Sequence, residues 1–165
     1  MKRVYLDTSA FVKLFFDEMD SESVERIADL ARSKKIQIAM SEWNVNEAIW
    51  TAEKKVLKAK ISNKEAFRII NLMADTIRDG INDETIIWLG FPSEAVVNSR
   101  VVIEELHTNA ADALHIYFAR TADCSHFVSA DEDLIIQLRF GGLRIEAVYL
   151  HSVVDMNKFF MEVSQ

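Results

Sequence analysis

Four carboxylates stand out by type and setting: Asp7, Glu47, Asp112 and Asp131. Asp7 ends the apolar run Val4-Tyr5-Leu6 and precedes two hydroxyls in the stretch VYLDTSAFVK. An acid there can simply cap a helix, or a strand can deliver it to the edge where ligands gather in open parallel sheets. Carboxylates crowded together without a cation repel one another, and a divalent ion removes that repulsion. A donor set of oxygens alone, with no His or Cys cluster, suits a hard ion such as Mg²⁺ or Mn²⁺. One or two such ions can activate a water and stabilise the leaving oxygen in phosphodiester hydrolysis, so no covalent nucleophile is required.

Whether these acids meet depends on the elements that carry them. Val4 to Leu6 reads as a buried strand, with Thr8 and Ser9 opening a short helix that continues from Phe11 to Phe16. Asp20 or Ser21 can cap a second helix, in which Val24, Ile27, Ala28 and Ala31 recur at helical spacing. Ile36 to Met40 is a second strand. Ser41 opens a helix to about Lys60, and Ser62 with Glu65 forms a capping-box pattern for another, closed by Gly80. Pro92 and Ser93 introduce a helix to about Leu106, and Asn109 starts one to about Thr121. His126 to Ala130 is a third strand, Arg144 to Leu150 a fourth, and Val153 to Val163 an amphipathic C-terminal helix. Strands separated by helices run parallel through right-handed crossovers, which predicts an α/β fold: a three-layer α/β/α sandwich around a central, mostly parallel sheet. In that topology Asp7 and Asp131 follow strands, Glu47 lies early in the helix leaving the second strand, and Asp112 begins the helix that feeds the third. All four fall on the carboxyl edge of the sheet.

The setting is one domain. The chain has 165 residues, one Pro and four Gly, without repeats or linkers, so residues 1–150 are expected to form the domain and 151–165 a helix packed on it. No apolar run approaches the roughly 20 residues of a membrane span, and Met1-Lys2-Arg3 leads straight into the first strand with no cleavable signal. The expectation is a soluble, cytoplasmic protein. The single cysteine, Cys124, has no partner for an internal disulfide and reads as a small buried residue. A formal charge of −7 argues against broad attraction to nucleic acid, so such binding needs a local basic patch.

With these residues in view, the chain resembles the PIN-domain nucleases, most closely the single-domain toxins of VapC type. VYLDTSAFVKLFFDE is similar to the family's opening motif and SEWNVNEAIW to its second-strand and helix segment. AADALHIYFA and VSADEDL resemble its third and fourth acidic motifs. The resemblance assigns Asp7, Glu47, Asp112 and Asp131 to the four acidic positions, with Asp7 and Asp112 as the most direct metal ligands. It also implies Mg²⁺ or Mn²⁺ dependence, RNA cleavage, a homodimer and a separate antitoxin partner. The helical hairpin between Thr51 and Gly80, the segment to Pro92 and the C-terminal tail make this chain longer than the plainest toxins.

Other residues carry competing readings. Glu42 lies near Glu47, but it sits at the helix start where an acid suits the dipole, whereas Glu47 shares a face with Trp43 and Trp50. Asp133 reads as a dipole partner more than a fifth ligand. Thr8, Ser9 and Ser129 offer hydroxyls that can orient Asp7 or a bound water, with capping as the alternative for the first two. His115 follows Asp112 by one turn and reads as structural, and Lys13 as solvated. Lys54, Lys55, Lys58, Lys60 and Lys64 surround one turn, with Arg32, Lys34 and Lys35 as a second basic group. Trp43, Trp50, Phe15, Phe16 and Phe67 fit either the core or a docking surface. A PIN-like module that only binds RNA or protein is the rival reading, disfavoured because such a module has no need of four repelling acids. A phosphate-monoester hydrolase with a nucleophilic Asp is disfavoured because Thr8-Ser9, not a second acid, follows Asp7.

Overall fold

A computed structural model describes residues 1–164, so residue 165 of the expected C-terminal tail lies outside the described residues. Five strands form its centre: β1 (Lys2–Leu6), β2 (Ile36–Ser41), β3 (Ile86–Leu89), β4 (His126–Ser129) and β5 (Glu146–Tyr149). Their order is β3-β2-β1-β4-β5, and every neighbouring pair is parallel. Helices α1 (Thr8–Phe11), α2 (Ser21–Arg32), α3 (Glu42–Leu57), α4 (Asn63–Asn82), α5 (Ser93–Leu106), α6 (Ala110–Thr121), α7 (Glu132–Phe140) and α8 (Val153–Val163) supply the crossovers and the outer layers.

The two faces of the sheet follow from strand alternation. Val4 and Leu6 of β1 point to one side, where they join Ile36, Ile38, Met40, Val128 and Val148 against α1, α2, α4 and α8. Tyr5 points to the other, with Ala39, Phe127 and Ala147 against α5, α6 and α7. The sheet is thus buried on both sides, and its strands read as continuous apolar runs.

Three expectations are corrected. The sheet has five strands, not four: Ile86–Leu89 pairs with β2 at the edge, and its four half-buried residues are too short a run to separate from a loop by pattern. Gly80 does not close its helix, which continues to Asn82. A Cβ at Gly80 would lie 2.5 Å from Ile86 Cδ1, so this glycine serves the close approach of α4 to β3. The first helix is also shorter than read, since α1 stops at Phe11 and a 3₁₀ turn covers Val12–Leu14.

Candidate active site

Each of the four acids is held at the carboxyl edge of the sheet by a different device. Asp7 is 4% exposed. It N-caps α1, its Oδ1 accepting from Ala10 N (3.1 Å), while Oδ2 accepts from the Ser129 hydroxyl (2.5 Å). Ser129 is fully buried and also accepts from Asp131 N (2.9 Å), so one hydroxyl at the end of β4 links the Asp7 side chain to the Asp131 backbone. Ser9 supports the same corner, accepting from Ala130 N (2.9 Å) with its Oγ 3.3 Å from that of Ser129. Asp131 caps α7 through Oδ1 and Leu134 N (3.2 Å) and is otherwise exposed.

Asp112 lies in the first turn of α6, whose cap is Asn109. Its Oδ2 accepts from Asn109 Nδ2 (2.6 Å). Burial pushes the Asp112 carboxyl above its ordinary value, and the negative charges of Asp131 and Asp7 add to the rise against the opposing pull of His115 and Asn109.

Glu47 is anchored from two sides. Its Oε2 accepts from the Thr8 hydroxyl (2.6 Å) and lies 2.7 Å from His115 Nε2. Burial would raise this carboxyl, but the His115 hydrogen bond and charge, with Thr8, outweigh it and hold the group below its ordinary value. The Trp43 indole N–H favours the charged form as well, yet closes no hydrogen bond of normal length. Glu47 is therefore ionised at neutral pH, and Nε2 of His115 carries the hydrogen between them.

The sequence alone favours a structural role for His115. The structure buries it to 3% exposure and sets Nδ1 3.0 Å from the Tyr5 hydroxyl, which donates to Asn44 Oδ1 (2.9 Å). Burial keeps the Tyr5 phenol protonated by raising it well above its ordinary value. The sequence signal was present in the one-turn spacing of Asp112 and His115, but Tyr5 inside an apolar strand gave none. Lys13 corrects an expectation: it is 7% exposed, not solvated, and donates to Met19 O (2.9 Å) with Glu18 3.7 Å away. Glu42 is exposed and accepts from Phe91 N, and Asp133 is exposed on α7.

The donor set is all oxygen, and the mutual repulsion at Asp112 fits a cation. Among the described residues no three His, Cys, Asp or Glu side chains are gathered closely enough to ligate one ion by themselves. An all-oxygen donor set suits a hard ion such as Mg²⁺, which keeps several of its waters when bound. A cavity of about 500 Å³ lies elsewhere, lined by Leu6, Phe11, Ile38, Met40 and Ile86 between α2 and α4. Of the basic groups, Arg32 is paired with Glu25 and Asp29, and Lys55 with Glu18, whereas Lys58, Lys60 and Lys64 are exposed. Among the aromatic residues Phe16 is buried and Trp43 and Phe15 half-buried, but Trp50 is 55% and Phe67 69% exposed.

A parallel sheet in this order, with acids arriving from four elements at its carboxyl edge, defines an α/β domain with a carboxylate-lined sheet edge. The PIN domain family model matches residues 4–140, and the chain belongs to that family. PIN domains are nucleases that generally depend on divalent metal. No curated protein matches the sequence. Among solved structures the chain is similar to PAE2754 from Pyrobaculum aerophilum (TM-score 0.61, 13% identity, 99% of this chain and 96% of that one). It is similar to the sarcin-ricin loop cleaving toxin VapC20 from Mycobacterium tuberculosis (0.55, 14%, 87% and 98%). VapBC2 from Rickettsia felis, solved bound to a DNA fragment from its promoter, matches comparably (0.55, 15%, 89% and 98%). These likenesses are of fold. No described helix is long and apolar enough to cross a membrane.

Proposed function

We propose that this protein is a divalent-metal-dependent endoribonuclease that hydrolyses RNA phosphodiester bonds, acting as the toxin of a type II toxin–antitoxin pair. The observation that carries the reading is the arrival of Asp7, Asp112, Asp131 and Glu47 at one sheet edge, where Ser129 links Asp7 to Asp131 and Thr8, next to Asp7, holds Glu47. Asp7, Asp112, Asp131 and Glu47 would hold Mg²⁺ or Mn²⁺ there. The ion supplies Lewis acidity and cancels charge that builds on a phosphodiester.

The chain's own groups do the positioning. Asp7 is fixed by Ala10 N and Ser129, and Asp131 by its bonds to Ser129 and Leu134, so neither need reorganise when charge develops. Thr8 holds Glu47 toward Asp7, its neighbour in the chain. Exposed Lys58, Lys60 and Lys64 on the turn between α3 and α4 support contact with a phosphate backbone despite the acidic balance. Trp50 and Phe67, exposed on the same pair of helices, support a docking surface for an antitoxin or a second copy in a homodimer. The description of VapC20 as a toxin cleaving the sarcin-ricin loop, and the presence of VapBC2 among the structural neighbours, favour RNA as substrate, an antitoxin as partner and a cytoplasmic setting.

The test is incubation of the purified protein with tRNA and rRNA pools. Cleavage is expected with Mg²⁺ or Mn²⁺ and not with EDTA. Cleavage that ignores EDTA would remove the metal from the reading.

A further inference from the structure

Tyr5, Asn44, Glu47 and His115 come from three elements, yet they close into one ring. Asn44 and Glu47 lie one turn apart on α3, Tyr5 is on β1 and His115 on α6. Asn44 is itself immobile: it is fully buried, donates to Leu6 O (3.0 Å) and accepts from Ser41 N (2.8 Å). The Tyr5 hydroxyl donates to that fixed oxygen (2.9 Å) and stands 3.0 Å from His115 Nδ1. The far side of the imidazole then meets Glu47 Oε2 at 2.7 Å. The Tyr5 and His115 rings also pack edge to face, with centroids 5.8 Å apart.

We infer that His115 is a positioning residue for Glu47, and that Tyr5 and Asn44 act through it by fixing the imidazole. This inference rests on the metal-dependent reading above. The geometry favours it over plain core filling. A histidine that merely filled space would not need both ring nitrogens within 3.0 Å of a polar partner, Nδ1 near a clamped hydroxyl and Nε2 near a half-buried carboxylate. The ring's consequence falls on the oxygens of Glu47. Oε2 is occupied twice, by Thr8 and His115, which leaves Oε1 without a hydrogen-bond partner among the described residues. Glu47 is thereby fixed with one oxygen free, in one orientation, at the sheet edge it shares with Asp7, Asp112 and Asp131. Residues that orient metal-binding groups in this way typically contribute 10- to 100-fold in metal affinity.

Two amide variants separate the roles of the ring nitrogens. In His115→Gln the amide N–H₂ reaches about as far as Nε2 and can still donate to Glu47. In His115→Asn the shorter amide reaches Tyr5 but not Glu47. Both remove the same ring packing, so thermal stability should move alike while Mn²⁺ affinity, measured by calorimetric titration, should not. Expected is a Kd about 10- to 100-fold weaker in His115→Asn and within about threefold of wild type in His115→Gln. Equal Mn²⁺ affinity in His115→Asn and wild type would overturn the inference, as would equal weakening in both variants. If neither amide variant folds, Tyr5→Phe decides: at least fivefold weaker binding supports the ring, and unchanged binding overturns it. A wild type that binds no Mn²⁺ would instead remove the metal reading itself, and this inference with it.

Discussion

Asp112→Asn should make the metal-free protein more stable and the metal-bound protein less responsive. The amide keeps an oxygen for Asn109 Nδ2, and α6 keeps its cap, because that cap is Asn109. What is lost is a charge. The folded-state pKa of Asp112 lies above its ordinary value of 3.8, so folding favours the protonated form. Its contribution to stability is complete below that ordinary value and is lost as pH rises through the raised folded value. At pH 7 the charged side chain is a net cost, which the variant lacks. In EDTA the variant should therefore melt above wild type at pH 7, and the gap should close as pH falls below about 3.8. Metal reverses the comparison. At a free Mn²⁺ concentration of 100 times Kd, wild type gains about 2.7 kcal/mol. For a chain of this size each kcal/mol is worth about 2–4 °C, giving a rise of about 5–11 °C. A variant weakened tenfold gains only about 1.4 kcal/mol at the same concentration, or about 3–6 °C. Differential scanning calorimetry in EDTA and in Mn²⁺ reads both halves. A variant that is less stable than wild type in EDTA, with an undiminished Mn²⁺ shift, would refute the placing of Asp112 among coupled acids.

Ser129→Ala strands an oxygen of Asp7 and the N–H of Asp131, a charge-assisted bond and a neutral one, and should cost about 2–4 kcal/mol in urea denaturation. A loss under about 0.5 kcal/mol would show that the hydroxyl does not hold the two acids. Glu47→Gln tests the opposite pKa sign. The Glu47 carboxyl is held below its ordinary 4.5, so its contribution is complete above that value and disappears as pH falls through the lower folded value. Wild type should lose stability more steeply than the variant below about pH 4.5, and superimposable pH profiles would contradict the His115 and Thr8 contacts.

Much of this architecture was legible because strand and helix signals reinforced one another. The runs at Val4, Ile36 and His126 are buried on both faces, and caps at Ser62 and Asn109 mark helix starts where the structure has them. β3 escaped because four residues carry no period, and its edge position leaves them only half-buried. Gly80 misled because a glycine near a helix end is usually a cap, whereas here it is cut away for Ile86, a contact 6 residues along that no local pattern encodes. At the site, topology alone brought four acids to one edge. The hydroxyls of Thr8, Ser9 and Ser129 were visible as neighbours of those acids. Their division of labour was not, since Thr8 reaches Glu47, 39 residues away, and Ser129 reaches Asp7 across 122. Tyr5 was hidden because a tyrosine in a strand pattern looks like core until its hydroxyl finds His115. The buried ε-amine of Lys13 likewise depends on a carbonyl, Met19 O, supplied by the loop before α2.

The most direct measurement of the central claim is the single-turnover rate of RNA cleavage in Mn²⁺ by wild type, Asp7→Asn and Asp112→Asn, prepared identically and checked for folding. If the acids hold a catalytic ion, losing about 3–4 kcal/mol of its stabilisation slows cleavage by roughly 10²- to 10³-fold in each variant. Folded variants that cut within about twofold of wild type would contradict it.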